Sequence, residues 1–329
     1  MKRAGGVLMH ISSLWGDYSC GSFGKEAKEF VDILKRGGFS WWQVLPFCMV
    51  DECNSPYKSY SAFAGNLYFV DLEVLKSKGL VTQDELTGAR QNSPYSCEYE
   101  RLYNERFDLL YKASKRAFLT EEKQKVSDFI SSHPHISDFC RFMVLKSANN
   151  NEAWNNWTIN DVNGELLFAW EFIQYEFFSQ WKEIKAYANS KGIKILGDIP
   201  IYVSYDSADV WANKELFQLN DDYSMKNVAG VPPDYFCADG QLWGNPLYNW
   251  DKMAQDDYKW WSDRINAMLE LFDGIRIDHF RAIESYWSVD AGAKTAKDGC
   301  WVKGPGMDFV NKIKKTTFAL PNYIGNIKI

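Results

Sequence analysis

The sequence predicts an α/β fold, and within that class a (β/α)8 TIM barrel with inserted helical subdomains, on three observations. A strand, a helix and a second strand with short links open the chain, and such units build parallel sheets. The same alternation resumes after a long helical stretch. Long polar loops follow the strands at their carboxyl ends, as they do in barrel enzymes. A doubly wound sheet is the competing architecture, but no glycine-rich nucleotide-binding turn follows a strand.

The first barrel units are expected within residues 1–66. An apolar run predicts a strand over residues 5–11, and apolar side chains at helical spacing predict a helix over residues 25–36. A glycine pair ends this helix, and residues 39–46 are predicted to form the second strand. The Ser- and Asn-rich residues 47–66 then form a long loop.

Two further regions complete the expected organisation. Residues 67–165 are interpreted as a mostly helical insertion, and residues 166–329 as further barrel units with long substrate loops. The elements predicted in this last region are helices over 171–190 and 257–271, a long loop over 204–251, and strands over 193–203, 272–280 and 322–329. Five strands are too few to close an eight-stranded barrel, so the barrel is expected to be incomplete in this chain.

Composition excludes several classes of function. Of the 329 residues, 46% are hydrophobic and 24% are charged, which is typical of globular proteins rather than disordered ones. The net charge of -6 argues against a nucleic-acid partner, and no apolar run reaches the roughly 18 residues of a membrane span. Seven cysteines without a Cys-x-x-Cys pair predict free thiols in the cytoplasm. The 14 Trp and 18 Tyr suit a groove for flat, amphipathic ligands such as sugars.

The strongest candidate site lies around Asp278. Because alternate side chains of a strand share a face, Arg276 and Asp278 point together toward the expected barrel axis. A neighbouring cation keeps a carboxylate ionised, and an ionised carboxylate at a strand end can act as a nucleophile. Asp198 occupies the matching end of the preceding strand. On spacing alone a structural ion pair of Arg276 and Asp278 is as open as a functional pair. Asp198 considered alone favours a helix or loop cap, but two acids at strand ends shift the balance toward function.

Aromatic side chains in the predicted loops are candidate sugar contacts. Tyr57, Tyr235 and Trp243 lie in turn-rich segments, where their rings could stack on pyranose rings or simply pack a surface loop. The sequence has no zinc-type set of ligands and no Gly-x-Ser-x-Gly turn, so neither a metal centre nor a serine triad is expected.

Eight segments, in the same order along the chain, together resemble the 4-alpha-glucanotransferases (amylomaltases or disproportionating enzymes, glycoside hydrolase family seventy-seven). The segments are Arg3-Ala4-Gly5-Gly6-Val7 with Ser12-Ser13-Leu14 and Gly21-x-Phe23-Gly24, Trp42-Gln43-Val44-Leu45-Pro46, Ser55-Pro56-Tyr57, Ser61-Ala62-Phe63-Ala64-Gly65-Asn66, Gly197-Asp198-Ile199-Pro200-Ile201, Val231-Pro232-Pro233-Asp234-Tyr235-Phe236, Gly240-Gln241-x-Trp243-Gly244-Asn245-Pro246, and Arg276-Ile277-Asp278-His279-Phe280-Arg281.

The resemblance implies a (β/α)8 barrel that transfers segments of α-1,4-glucans between maltooligosaccharides with retention of configuration. Asp278 matches the nucleophile of the family, and Arg276 and His279 match flanking site residues. The positions implied to bind substrate are Tyr57, Asp198, Tyr235, Trp243 and Asn245, together with His279. No metal or organic cofactor, nucleic acid or membrane partner is implied.

One departure from the family pattern bears on activity. The family places its general acid/base Glu in an Ala-Glu-Asp-Leu-Gly motif after the next strand, whereas this sequence continues from Asn322-Tyr323-Ile324 into Gly325-Asn326-Ile327. The chain is therefore expected to be truncated before that motif and to be weakly active or inactive by itself. The alternatives are an amylase-like hydrolase, a non-catalytic glucan-binding protein, and a fragment that does not fold stably alone.

Overall fold

The structure, a computed structural model, describes residues 4–51 and 53–317. It opens with strand β1 (Gly6–Leu8), helix α1 (Lys25–Arg36) and strand β2 (Trp41–Gln43). This order is the predicted one, and the bounds of α1 are the predicted bounds. The helix buries one apolar stripe, and its members are Ala27, Phe30, Val31 and Leu34.

Both strands are shorter than the sequence predicts. After β1 the chain turns into a short 3-10 helix at Ile11–Ser13, and after β2 it enters the loop that Pro46 begins. One ladder bond extends β1, since Met9 N donates to Gln43 O at 3.0 Å. The predicted strands were too long because the side chains that follow each pair of bonded residues are also apolar and buried.

Five helices follow, as the charged and helical character of this stretch indicated. They are α2 (Leu72–Ser77), α3 (Gln83–Ala89), α4 (Tyr99–Ala117), α5 (Glu122–Ser132) and α6 (Pro134–Ala148). Between Asn66 and Asn163 the structure has no strand. Helix α3 begins at a capping box, in which Thr82 and Glu85 satisfy each other's backbone N–H groups.

The alternation of helices and strands then returns with α7 (Gly164–Ser190), β3 (Lys194–Ile199) and the short helix α8 (Ala208–Ala212). Helix α7 begins before the predicted residue 171 because the Asn163 side chain caps it, accepting from the backbone N–H groups of Glu165 and Leu166. In the described part of the chain no helix is both long enough and apolar enough to cross a membrane.

The prediction of a long loop over residues 204–251 is wrong. Besides α8, this stretch contains the strands β4 (Asn227–Val231) and β5 (Gln241–Pro246), which pair antiparallel. The intervening Pro232 and Gly240 are turn signals, and they dominate the local pattern. The strands form because distant residues pair with them, which a local pattern does not reveal.

The remaining described elements are α9 (Trp250–Ala254), α10 (Lys259–Leu271), β6 (Gly274–Ile277), β7 (Ser285–Asp290), β8 (Cys300–Lys303) and α11 (Gly306–Thr317). The sequence predicted α10 and β6 but not β7, β8 or α11. The strand predicted over residues 322–329 lies outside the described residues.

Two four-stranded sheets organise these elements. The first has the order β1-β2-β3-β6 and is parallel throughout, while the second has the order β5-β4-β7-β8 and is antiparallel throughout. Helix α7 packs between α1 and α10 on one face of the parallel sheet. The α/β class is thus confirmed, and the carboxyl ends of the parallel strands meet at one edge.

The ring of Phe272 packs so closely against Gly197 in β3 that no side chain fits at this position. A Cβ atom at this position would lie 2.1 Å from Cδ2 of Phe272, whose buried ring packs against Phe47 and Trp181 at 5.0 and 6.2 Å. We expect Gly197→Ala to lower the free energy of unfolding by about 3 kcal/mol, because the surrounding rings cannot move aside. Urea unfolding measures this loss.

Gly88→Ala is the matched control. A Cβ at Gly88, which lies inside α3, would meet no atom within 4 Å. This change is expected to be neutral or to stabilise by up to about 1 kcal/mol, because Ala favours a helix over Gly. Equal effects of the two substitutions would contradict the close packing described for Gly197.

Candidate active site

The parallel pairing of β3 and β6 brings the predicted carboxylates together. Asp198 on β3 is in register with Arg276 on β6, and Asp278 follows β6 directly. The backbone N–H of Asp278 donates to Ile199 O at 2.9 Å, which continues the ladder past the end of the strand. The three side chains therefore lie on one face, at the carboxyl edge of the sheet.

Arg276 joins the two carboxylates. Its guanidinium donates to Oδ1 and Oδ2 of Asp198 at 2.8 and 2.9 Å, and its second terminal nitrogen donates to Oδ1 of Asp278. Burial disfavours the charge of Arg276, but the two carboxylates outweigh burial and raise the pKa of the guanidinium above its usual value. A permanent cation is thus held between the two acids.

The two carboxylates differ in exposure, which separates their roles. The side chain of Asp198 is 1% exposed and that of Asp278 is 41% exposed. Asp198 is a buried acceptor that anchors Arg276, whereas Asp278 is presented to solvent with its charge supported by the same cation. An exposed, oriented carboxylate at a strand end can react with a ligand in the space above it.

Tyr57 reaches the same network from the loop after β2. Its hydroxyl donates to Oδ2 of Asp198 at 2.7 Å. Burial and the Asp198 carboxylate raise the pKa of Tyr57 well above its ordinary value, so the hydroxyl stays protonated and remains a donor. The structure therefore brings together four of the residues singled out from the sequence, namely Tyr57, Asp198, Arg276 and Asp278.

A buried carboxylate that the sequence did not single out holds the loop carrying Tyr57. Oδ2 of Asp209 accepts from the backbone N–H of Ala62 at 2.7 Å, and Ala208 N donates to Tyr60 O at 2.8 Å. Burial raises the pKa of Asp209 to about 6, opposed by this backbone donor and by the positive charge of Arg264. An acidic residue at the start of a short helix was the available signal, but it equally suits a surface cap.

Asp209 is expected to make stability depend on pH. Burial raises its pKa from 3.8 to about 6, so between these values the folded chain holds a proton that the unfolded chain releases. The stability that the neutral carboxyl contributes is fully present below about pH 4 and is lost as the pH rises through about 6. Relative to Asp209→Asn, the natural chain should lose roughly 2–3 kcal/mol of unfolding free energy between pH 4 and 6.

Urea unfolding of both proteins at a series of pH values measures this difference. The Asn side chain keeps an oxygen that can accept from Ala62 N–H but does not titrate. The comparison therefore removes the contributions of all other titrating groups. Parallel stability curves for the two proteins would show that Asp209 does not titrate in this range.

Trp243 on β5 borders the carboxylate site. Its indole ring lies edge-on to the imidazole of His279 at 4.9 Å and near the ring of Tyr202 at 6.3 Å. His279 follows Asp278 directly and has a positive φ of 51°, and its contact with Trp243 places its ring against the second sheet. Burial lowers the pKa of His279 below its ordinary value, so the ring is neutral at neutral pH. Tyr202 is a neighbour that the sequence analysis missed.

Asn245 and Tyr235 are placed differently from this network. The amide of Asn245 donates to Val203 O at 2.8 Å, which attaches β5 to the segment after β3. Tyr235 lies in the loop between β4 and β5 and is 100% exposed, as is nearly all of Phe236 beside it. Their predicted contacts with substrate stay predictions.

Metal ligands are not grouped in this structure. Among residues 4–51 and 53–317 there is no set of three or more His, Cys, Asp or Glu side chains that could hold a metal ion.

Comparison with known proteins decides the family. The 4-alpha-glucanotransferase family matches residues 9–322, which include every candidate site residue. The chain belongs to the 4-alpha-glucanotransferase family. A 4-alpha-glucanotransferase from Clostridium butyricum is 43% identical over 98% of this chain and 68% of its own length. Another from Streptococcus pneumoniae is 42% identical over 95% of this chain and 65% of its own length.

Solved structures of family members resemble the fold closely. The amylomaltase from Streptococcus agalactiae in complex with acarbose is 39% identical, with a TM-score of 0.93 over 99% of this chain and 70% of that one. The amylomaltase from Corynebacterium glutamicum, at 15% identity and a TM-score of 0.73, shares the fold. The chain spans about two thirds of the length of the curated 4-alpha-glucanotransferases named above.

Proposed function

We propose that this chain is a 4-alpha-glucanotransferase that moves segments of α-1,4-glucans between maltooligosaccharides with retention. Membership of the family and the connection of Asp278 through Arg276 to the buried Asp198 support this function. The parallel strands β1, β2, β3 and β6 are then four strands of a (β/α)8 barrel, with residues 1–66 and 166–329 contributing barrel units and residues 67–165 forming an insertion. The predicted cytoplasmic location stays a prediction.

Asp278 is the nucleophile in this proposal. Its carboxylate attacks the anomeric carbon of the donor glucan, and the bond to the leaving 4-oxygen breaks. The 4-hydroxyl of an acceptor sugar then attacks the glycosyl-enzyme, loses its proton and breaks the bond to Asp278, which restores the original configuration. The proton released here balances the one that the leaving 4-oxygen takes up in the first step. Arg276 orients Asp278, since its guanidinium donates a hydrogen bond to Asp278 Oδ1.

The surrounding residues position the sugar rings. Trp243 presents a partly exposed indole beside His279, and such a ring stacks on the apolar face of a pyranose. The solved complex of the Streptococcus agalactiae amylomaltase holds acarbose, which fits an α-glucan ligand for this site. The chemistry uses only carboxyl, hydroxyl and imidazole groups, so the proposal includes no cofactor.

The proposed mechanism also needs an acid that protonates the leaving oxygen. Retaining enzymes place two carboxyl groups about 5 to 5.5 Å apart. Asp198 is unsuited to this role, because its two oxygens accept hydrogen bonds from Arg276 and Tyr57 while it is buried. Asp278 is the nucleophile in this proposal, so we assign the acid to neither of these two carboxylates.

Two donors separate the nucleophile from the acid. Maltotriose needs protonation of its leaving oxygen, whereas α-maltosyl fluoride releases fluoride without it. We expect Asp278 to release fluoride from α-maltosyl fluoride, and the ratio of the maltotriose rate to this rate measures the contribution of an acid, which is typically about 10²- to 10⁴-fold. Product chromatography and a fluoride electrode give both rates.

Each alternative outcome has a distinct meaning. Efficient conversion of maltotriose to glucose and longer products would support the transferase and show that a group in the protein protonates the leaving oxygen. Products that only become shorter would identify an amylase-like hydrolase. Binding of maltoheptaose in calorimetry with turnover of neither donor would identify a glucan-binding protein.

A further inference from the structure

Two segments far apart in the sequence hold Cys20 and Cys97 beside each other. Three backbone hydrogen bonds join residues 16–19 to residues 91–98: Gly16 N to Pro94 O at 2.9 Å, Gln91 N to Asp17 O at 2.8 Å, and Glu98 N to Ser19 O at 2.8 Å. The last of these bonds involves the residue before Cys20 and the residue after Cys97. Each cysteine is therefore the chain neighbour of one member of a hydrogen-bonded pair.

The two thiols contact each other and differ in access. Cys20 is 3% exposed, and its single S–H proton has two carbonyl acceptors in reach, Gly21 O and Tyr68 O, at 3.2 and 3.5 Å from Sγ. The half-buried thiol of Cys97 is a third partner within reach of the Cys20 thiol. Neither cysteine lies in a helix or strand, so the irregular backbone on both sides can adjust to the geometry that a disulfide requires.

The environment makes Cys97 the more reactive thiol. The hydrogen bond from Cys20 lowers the pKa of Cys97, and the Tyr99 hydroxyl and the Arg106 guanidinium act in the same direction. The bond to Cys97, together with burial, raises the pKa of Cys20. A half-exposed acidic thiol beside a buried neutral one is the arrangement of an attacking and a resolving cysteine.

We propose that Cys20 and Cys97 form a reversible disulfide when the protein meets a small-molecule disulfide. The Cys97 thiolate attacks one sulfur of that molecule, forms a mixed disulfide and releases the first small thiol, which takes up the Cys97 proton. The sulfur of Cys20 then attacks Cys97 Sγ, and its proton leaves with the second small thiol. The two protein thiols together lose two hydrogen atoms, and the small disulfide is reduced to two thiols.

The bond would tie the segment after β1 to the start of α4. A cavity of about 150 Å³ lies against Cys20, and its lining includes Ser12, Tyr99 and Pro56 next to the site residue Tyr57. A disulfide between Cys20 and Cys97 would close a long loop and so restrict the unfolded chain. Oxidation is therefore expected to raise the melting temperature by roughly 5 °C. Excess dithiothreitol should reverse the rise.

The test treats the folded chain with glutathione disulfide, followed by alkylation, intact mass measurement and peptide mapping. We expect a loss of two hydrogen atoms and a cross-linked peptide pair containing Cys20 and Cys97. Cys20→Ser should stop at a glutathione adduct on Cys97, and Cys97→Ser should leave Cys20 unmodified. The matched control Cys300→Ser, at an exposed cysteine, should still form the bond.

Two results would overturn the proposal. One is that both Cys20 and Cys97 of the natural chain are still alkylated after oxidation. The other is that the natural chain forms a cross-link between other cysteines. Peptide mapping of the natural chain needs no variant, so it decides the question even if Cys20→Ser fails to fold. The readouts are mass and melting temperature, so they are independent of the proposed transferase activity.

Discussion

Asp278→Asn is expected to reduce fluoride release from α-maltosyl fluoride by at least about 10³-fold. An amide oxygen is a poor nucleophile, so the covalent step is lost, while the similar shape preserves binding. The side chain is 41% exposed, and an Asn oxygen can still accept from Arg276. The fold and the affinity for maltoheptaose should therefore change little, and calorimetry with circular dichroism checks both.

Asp161→Asn provides the control for charge removal. Asp161 is an exposed residue in the segment before α7, so its loss should leave fluoride release unchanged. If Asp278→Asn releases fluoride within tenfold of the natural chain, Asp278 is not the nucleophile. If both variants lose activity equally, the effect comes from net charge rather than from the site.

Arg276→Met should both destabilise the protein and remove its activity. Removing the guanidinium leaves the carboxylate of Asp198 buried with Tyr57 as its remaining side-chain donor. Breaking a buried pair costs about 3–5 kcal/mol, and because Arg276 is roughly half-exposed we expect a smaller loss, of about 2–3 kcal/mol. Fluoride release should fall by at least about 10²-fold, since Asp278 loses its orienting cation.

A second substitution identifies the cause of the lost stability. In the double variant Arg276→Met with Asp198→Asn, the buried charge is gone, so most of the unfolding free energy should return while activity stays low. Arg90→Met is the matched control, because Arg90 pairs with Asp17 at the surface at 2.8 Å and should contribute no more than about 1 kcal/mol. An additive double variant, with no recovery, would contradict the coupling of Asp198 to Arg276.

Regular elements with strong local patterns were predictable. Helix α1 was predicted with its observed bounds because its apolar stripe and its glycine stop are both encoded within a few turns. Strands β4 and β5 were not predictable in the same way. Their residues alternate weakly, and pairing of β4 with the distant β7 decides that they are strands.

The candidate site was predictable in its residues but not in its connections. Alternation along β6 correctly placed Arg276 and Asp278 on one face. It did not show that Asp198 would be buried and would bind Arg276 through both oxygens, because the register of β3 against β6 is a property of the assembled sheet. The sequence did not single out Asp209, because an acidic residue near a turn is equally typical of a surface cap.

By itself, the sequence determined the α/β class, the family to which the chain belongs, and the identity of the charged and aromatic residues at the strand ends. These properties depend on side-chain periodicity and on motifs that are contiguous in the chain. The tertiary structure alone decided which of two nearby carboxylates is buried, which faces solvent, and which two thiols meet. Burial and contact between distant segments depend on how strands and loops pack together, and no local window of residues contains that information.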